Sequence, residues 1–278
     1  MSTNSTGHSS PRLFRRCQHY TSVSTISTLS HDGLHVASNS RKASQKQFLY
    51  LLVVIAVIGA GALGYVATRP KGRTMAIDPN MPLGTAQSFL MGSADAPVQI
   101  TEFADFECPL CGEWATVTEP DVRERLIKPG LVAIRFYVWP LPMHKNTWAA
   151  SNAAYCADEQ GKFWAMHDRL FYTQDLWNGQ ATSNPDKNMK GFAKDIGLDE
   201  AKFADCYDSG RQLPNIKASA AEAERRGLGG TPTFIIGNQA IEDRMSFDNM
   251  KKLVDAELAK TGKTGKTGKA DAARKGAK

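Results

Sequence analysis

The chain has 278 residues, 42% of them hydrophobic, which suffices for a folded core, and a formal net charge of +6. A pI near 9.0 invites a nucleic-acid reading, but the placement of charge excludes it. Residues 1–46 and 261–278 each hold six Lys/Arg against one Asp, leaving 22 basic against 26 acidic residues between them. The basic excess therefore sits in the tails rather than on a folded face.

Residues 1–46 are rich in Ser, Thr, Asn and His with little hydrophobic period, and are expected to be a disordered N-terminal segment. Phe48 to Ala67 then run without a charge. Twenty residues at ~1.5 Å each span a ~30 Å hydrocarbon core, so residues 47–68 are expected to form a transmembrane anchor. Tyr50 and Tyr65 lie near its ends, where interfacial aromatics belong. A buried core helix and a cleaved signal peptide compete with this reading. The apolar run is long for a signal, its leader is too long, and no clear Ala-x-Ala follows. An uncleaved anchor is expected. Arg41, Lys42 and Lys46 on one flank balance Arg69, Lys71 and Arg73 on the other, and Arg12, Arg15 and Arg16 favour a cytoplasmic N-terminus. Four of the five cysteines follow the span and only Cys17 precedes it, which suits an oxidising compartment on the C-terminal side. Residues 69–90, with Pro70, Pro79 and Pro82, read as a linker.

The run Val98 to Phe106 alternates apolar and polar residues as a strand does. Cys108 follows it and opens a helix expected to reach about Ile127, with Pro109 at the first helical position. A cysteine there faces unpaired N–H groups and the positive end of the helix dipole, so the thiolate is favoured. Cys111 lies one turn on, close enough to form a disulfide with it. Half a zinc site looks the same, but no second Cys-x-x-Cys and no His-x₃-His completes four ligands, so no metal is expected. After Lys128-Pro-Gly130, residues 131–139 are rich in β-branched and aromatic side chains, which predicts a strand parallel to the first.

From about residue 145 to 228 the pattern is helical, with helices expected near 189–196, 199–207 and 216–226. Thr233–Ile236, a Gly237-Asn238 turn and Gln239–Ile241 predict a hairpin. Ser246 is placed to cap a last amphipathic helix carrying Phe247, Met250, Leu253, Val254 and Leu258. Thr-Gly-Lys repeated three times from Thr261 opens a basic disordered tail, 261–278, with weak contact to anionic lipid as a sharper alternative.

Four pieces, in order, carry a family resemblance: Ala96-Pro-Val98 with Glu102-Phe-Ala-Asp-Phe-Glu-Cys108-Pro-Leu-Cys111, Cys156-Ala-Asp-Glu-Gln-Gly-Lys-Phe-Trp-Ala-Met-His-Asp-Arg-Leu-Phe171, Phe203-Ala-Asp-Cys206, and Gly229-Gly-Thr-Pro-Thr-Phe-Ile-Ile-Gly237. Over roughly residues 90–260 the chain resembles the DsbA-like thioredoxin-fold thiol–disulfide oxidoreductases. The resemblance implies an α/β domain over residues 91–260, a thioredoxin fold split by a helical insertion at about 145–228. It implies Cys108 as nucleophile, Cys111 as resolving cysteine, and Glu102 as a buried acid that relays a proton; a solvated edge-strand carboxylate is the alternative for Glu102. Thr231-Pro232 resembles the family's cis-proline loop, which offers backbone to an extended client. Leu110 departs from the histidine of the strongest oxidases, which implies a less oxidising couple.

Cys156 and Cys206 are expected to form a structural disulfide between two helices; a second redox pair and two free buried thiols are the alternatives. Glu107 is expected to be exposed beside the nucleophile, and His144 and His167 to be surface or capping histidines. Phe103, Phe106, Trp114 and Trp139 read first as core and second as an apolar client surface. The expected function is disulfide introduction or exchange in reduced secreted proteins, with no cofactor beyond the dithiol, no nucleic acid, and a quinone-linked membrane partner for reoxidation. The alternatives are a reductase or isomerase, and a redox-inactive client-binding module.

Overall fold

The computed structural model describes residues 39–68, 72–78, 81–82 and 84–260. The expectations for residues 1–38 and for the tail 261–278 lie outside the described residues. The chain forms two units, Met1–Arg69 and Pro70–Lys278.

In the first unit, helix α1 (Asn39–Thr68) starts earlier than the sequence reading placed it. Residues 39–46, expected to be disordered, are helical, because Arg41, Lys42, Ala43, Gln45 and Lys46 are good helix formers that extend the apolar run. Lys46–Tyr65 has a mean hydropathy of 2.3 and none of it is buried. It is the helix, among the described residues, that is long and apolar enough to cross a membrane.

The second unit is built on a six-stranded sheet in the order β1-β6-β5-β3-β4-β2. The strands are β1 (Arg73–Ala76), β2 (Phe89–Met91), β3 (Val98–Ala104), β4 (Val132–Val138), β5 (Thr233–Ile236) and β6 (Gln239–Glu242). β3 and β4 are parallel, and β5 runs antiparallel to β3 with Glu102 opposite Phe234. β6 pairs with β5, β1 with β6, and β2 with β4, all antiparallel. The linker expected at 69–90 is thus corrected: it contributes both edge strands. Each is only three or four residues long, too short for period-2 patterning, and each forms because it closes the open edge of a strand already in place.

Both faces of the sheet are covered, which is why β4 is apolar at every position but Arg135. One face carries Ile100, Ala104, Ile134, Phe136 and Phe234 and packs on the active-site helix, the insertion and α10 (Phe247–Lys260). The other carries Phe103, Tyr137, Trp139 and Ile235, with Phe103 stacked on Tyr137 at 4.9 Å between centroids. Phe103, Phe106, Trp114 and Trp139 are all buried, so none provides an apolar client surface.

The chain from Pro109 to Ile127 is helical throughout: α2 (Pro109–Glu113), a π-type segment Trp114–Thr118, α3 (Glu119–Val122), and a second π-type segment Arg123–Ile127. Pro120 lacks the N–H an α-turn would use, and the ladder widens locally. The insertion comprises α4 (Thr147–Asp158), α5 (Phe163–Tyr172), α6 (Gln174–Trp177), α7 (Asp186–Asp195), α8 (Glu200–Ser209) and α9 (Leu213–Arg225). A disulfide joins Cys156 of α4 to Cys206 of α8, with Cα atoms 5.7 Å apart.

Candidate active site

β3 ends at Ala104, and the turn Asp105-Phe106-Glu107 delivers Cys108 to the N-cap of α2, with Pro109 in the first turn. The Cys108 N–H donates to the Asp105 carbonyl at 3.1 Å, and the Glu107 N–H to Asp105 Oδ1 at 2.8 Å, which fixes the turn. From the insertion, Gln174 Nε2 donates to the carbonyls of Phe106 and Cys108 at 2.7 and 3.0 Å. The loop bearing the cysteine is therefore held by hydrogen bonds from both halves of the domain.

Cys108 is 6% exposed and Cys111 is fully buried; both are free thiols here. Opposite them, the Thr231–Pro232 bond is cis. The Thr231 carbonyl lies 3.4 Å from Cys108 Sγ. The Cys108 thiol is acidified to about 6, first by the hydrogen bond from Cys111, then by Thr231 and the N–H groups of Cys111 and Leu110, against the effect of burial. Burial raises the Cys111 thiol well above its ordinary value, and the neighbouring Cys108 sulfur adds to this. One sulfur is made to carry charge and the other to keep its proton.

Glu102 is 2% exposed in the central strand, not a solvated edge carboxylate. Burial and then the charge of Glu119 raise its pKa well above the carboxylate range; Trp114 and Arg123 act the other way. Its charged surroundings form a chain running outward. Arg123 donates to Glu119 at 2.7 Å and to both oxygens of Asp168 at 2.9 and 2.6 Å, and His167 Nδ1 is 2.9 Å from Asp168. His167 is 1% exposed, which corrects its reading as a surface residue: the rings of Phe106, Phe136, Trp164 and Phe171 enclose it.

The expectation for Glu107 is also corrected. It is 8% exposed, and its oxygens accept backbone N–H bonds from Asn146 and Gly179, both at 2.6 Å. Those donors lie in the insertion, which folds over the active-site turn and removes it from water. A cavity of about 300 Å³ beside Pro109 is lined by Glu107, Met143, His144, Gln174 and Gly179. Asp105 was missed by sequence reasoning altogether. It is fully buried and gathers Glu107, Leu141, His144 and Thr147. Three of these four lie more than thirty residues away, and no spacing rule connects them.

Residues 85–256 match the family model described as Thioredoxin. "Probable disulfide bond formation protein D" of Bacillus anthracis is 28% identical over 236 residues, covering 80% of this chain and 99% of that protein. "Na(+)/H(+) antiporter NhaA 3" of Salinispora tropica is 31% identical over 205 residues, 67% of this chain. The chain spans only 29% of that antiporter's length, and 33% of a second antiporter from Salinispora arenicola. Among solved structures, Bacillus subtilis BdbD superimposes with a TM-score of 0.54 at 18% identity, covering 68% of this chain and all of that one. Wolbachia pipientis alpha-DsbA1 gives 0.59 at 20%, covering 66% and 96%. The family match takes in more than half of the sequence, and the superpositions cover nearly the whole of both solved chains: the chain belongs to the thioredoxin family and has its DsbA-like fold.

Proposed function

We propose that this chain is a membrane-anchored thiol–disulfide oxidoreductase that introduces or exchanges disulfides in secreted proteins on the extracytoplasmic side. The observation that carries the reading is the division between the two sulfurs, an acidified Cys108 at a helix N-terminus and a buried, protonated Cys111 behind it. The Bacillus relative's name, aligned over 99% of its length, supports the same chemistry.

In the oxidised protein a client thiolate attacks Cys108 Sγ. The Cys108–Cys111 bond breaks, and Cys111 leaves with the bonding pair and takes up a proton. A second client thiolate attacks the client sulfur of the mixed disulfide, and Cys108 leaves as a thiolate. Two client thiols become one disulfide, and two electrons pass to the dithiol. Glu102, buried and with its pKa raised well above the usual carboxylate range by that burial, is the proposed proton relay for Cys111. Thr231 and Pro232 offer backbone for an extended client segment. A quinone-linked membrane partner is the proposed oxidant that regenerates the disulfide. The Cys156–Cys206 disulfide suits an oxidising compartment, and α1 suits a single-pass anchor.

The deciding measurement is the reduction potential of the Cys108–Cys111 couple in the full chain in detergent, equilibrated against glutathione. A value near the ~−120 mV of strong oxidases supports a disulfide donor; one near the ~−270 mV of thioredoxin sinks the oxidase reading in favour of a reductase. Leu110 between the cysteines is the feature that favours this second reading. A Cys108→Ser, Cys111→Ser variant that fully complements a loss-of-function strain would instead establish a redox-inactive client-binding module.

A further inference from the structure

Leucine at position 110 cannot place positive charge near the Cys108 sulfur, yet the insertion brings a histidine to the same corner. His144 lies 36 residues beyond Cys108 in sequence and lines the cavity that Pro109 and Glu107 also line. Its Nδ1 is 2.7 Å from Asp105 Oδ2. Asp105 is fully buried, and its position is fixed by Thr147 Oγ1 at 2.5 Å and by the N–H groups of Glu107 and Leu141 at 2.8 and 2.7 Å. The backbone carbonyl of the same Asp105 accepts the Cys108 N–H at 3.1 Å. One buried residue thus sets the position of both the nucleophile and the imidazole. A carboxylate on one ring nitrogen holds the ring in orientation and favours its cationic form.

We propose that His144, held by Asp105, is the cationic partner of the Cys108 sulfur, supplying from the insertion the charge that the residue between the cysteines lacks. It is a positioning and charge-compensating residue rather than a nucleophile or a base. The inference rests on the dithiol reading above. Its role is to stabilise the Cys108 thiolate, both in the reduced protein and as the group expelled when the mixed disulfide is resolved. The charges facing the imidazole are Asp105, Glu107 and Cys108, which favour its protonation, while partial burial opposes it. Lys145 lines the same cavity and opposes it by repulsion.

The coupling is reciprocal: an imidazolium that favours the thiolate is itself favoured by the thiolate, by the same factor. The test is an NMR titration of His144 in the full wild-type chain in detergent, once reduced and once oxidised with diamide. The resonance is assigned with His144→Gln. The proton affinity of His144 is expected to be about three- to tenfold higher in the reduced protein. In His144→Gln the equilibrium constant against glutathione is expected to shift toward the disulfide by the same three- to tenfold, about 15–30 mV for a two-electron couple. His144→Lys, which keeps a charge, should recover most of that shift. Identical titration in the two redox states overturns the proposal, and so does an equal shift in the Gln and Lys variants, which would mark a steric role. If diamide forms no Cys108–Cys111 disulfide in the wild type, the dithiol reading fails and takes this inference with it. A couple that cycles beside a His144 indifferent to it fails this inference alone.

Discussion

At the scale of single residues, the pair of sulfurs is governed by what each can donate. Cys111 keeps its proton because it is buried, and that proton is the largest stabiliser of the Cys108 thiolate. Alkylation of Cys108 by iodoacetamide is therefore expected to rise with pH through an inflection near 6. Cys111→Ser should move that inflection; its Cys108 thiolate, attacking a disulfide-bonded client and expelling the other client sulfur, should accumulate mixed disulfides that no second cysteine resolves, visible on non-reducing gels, and Cys108→Ser should accumulate none.

Glu102 gives a prediction of the opposite sign. Its folded pKa is raised above the unfolded value, so the native state binds the extra proton and stability falls as pH rises past the unfolded carboxylate range. Glu102→Gln removes that penalty. It should match wild type near pH 4 and be more stable by roughly 1–3 kcal/mol at pH 8 in denaturant titrations, the size of an uncompensated buried polar group. Slower proton exchange at Cys111, seen as slower single-turnover oxidation of a model peptide, is the accompanying expectation. A Gln variant no more stable at pH 8 than wild type would remove the case for a buried, protonated acid.

At the scale of elements, the insertion does more than interrupt the thioredoxin fold. Gln174 of α6 holds the carbonyls on either side of Glu107, and Asn146 and Gly179 hold Glu107 itself. The adjoining glycine shows how close this packing is: a Cβ at Gly112 would come within 2.9 Å of Gln174 Oε1. Gly112→Ala is expected to displace Gln174 and lose two hydrogen bonds, about 1–2 kcal/mol, against about 1 kcal/mol gained in helix propensity, a small net loss measured by thermal or chemical unfolding. The Cys156–Cys206 bridge closes a loop of sequence separation 50 between α4 and α8. On loop entropy its loss should cost about 4 kcal/mol. Cys156→Ala with Cys206→Ala is thus expected to lower the melting temperature while leaving the potential of the Cys108–Cys111 couple unchanged. A changed potential would instead favour a second redox pair.

At the scale of the whole molecule, the domain begins earlier in the chain than its chemistry does. β1 covers the edge of β6, so deleting residues 71–78 should leave that edge unpaired and promote aggregation, measurable by light scattering of the purified chain. The proposed topology is checked by fusing alkaline phosphatase after Lys260: activity is expected if the domain is extracytoplasmic, and an inactive, stably made fusion would place it in the cytoplasm.

Local patterns were enough to predict the apolar span, the strand–Cys108–Pro–Leu–Cys111–helix unit and the strand parallel to it, because each follows from composition or period within one element. A lowered pKa for Cys108 was expected from the helix N-terminus, but the larger cause is the hydrogen bond from Cys111, with the N–H groups of Cys111 and Leu110 adding less. What only tertiary structure decided are contacts between residues distant in sequence. β1 and β2 carry too few residues to show a period and exist by pairing with β6 and β4. Glu107 and His167 look solvated in the sequence because charge predicts exposure; burial becomes affordable only where backbone donors from Asn146 and Gly179, or the carboxylate of Asp168, replace water. Asp105 draws together Leu141, His144 and Thr147 across 36 to 42 positions, and that convergence depends on the insertion folding back over the end of β3.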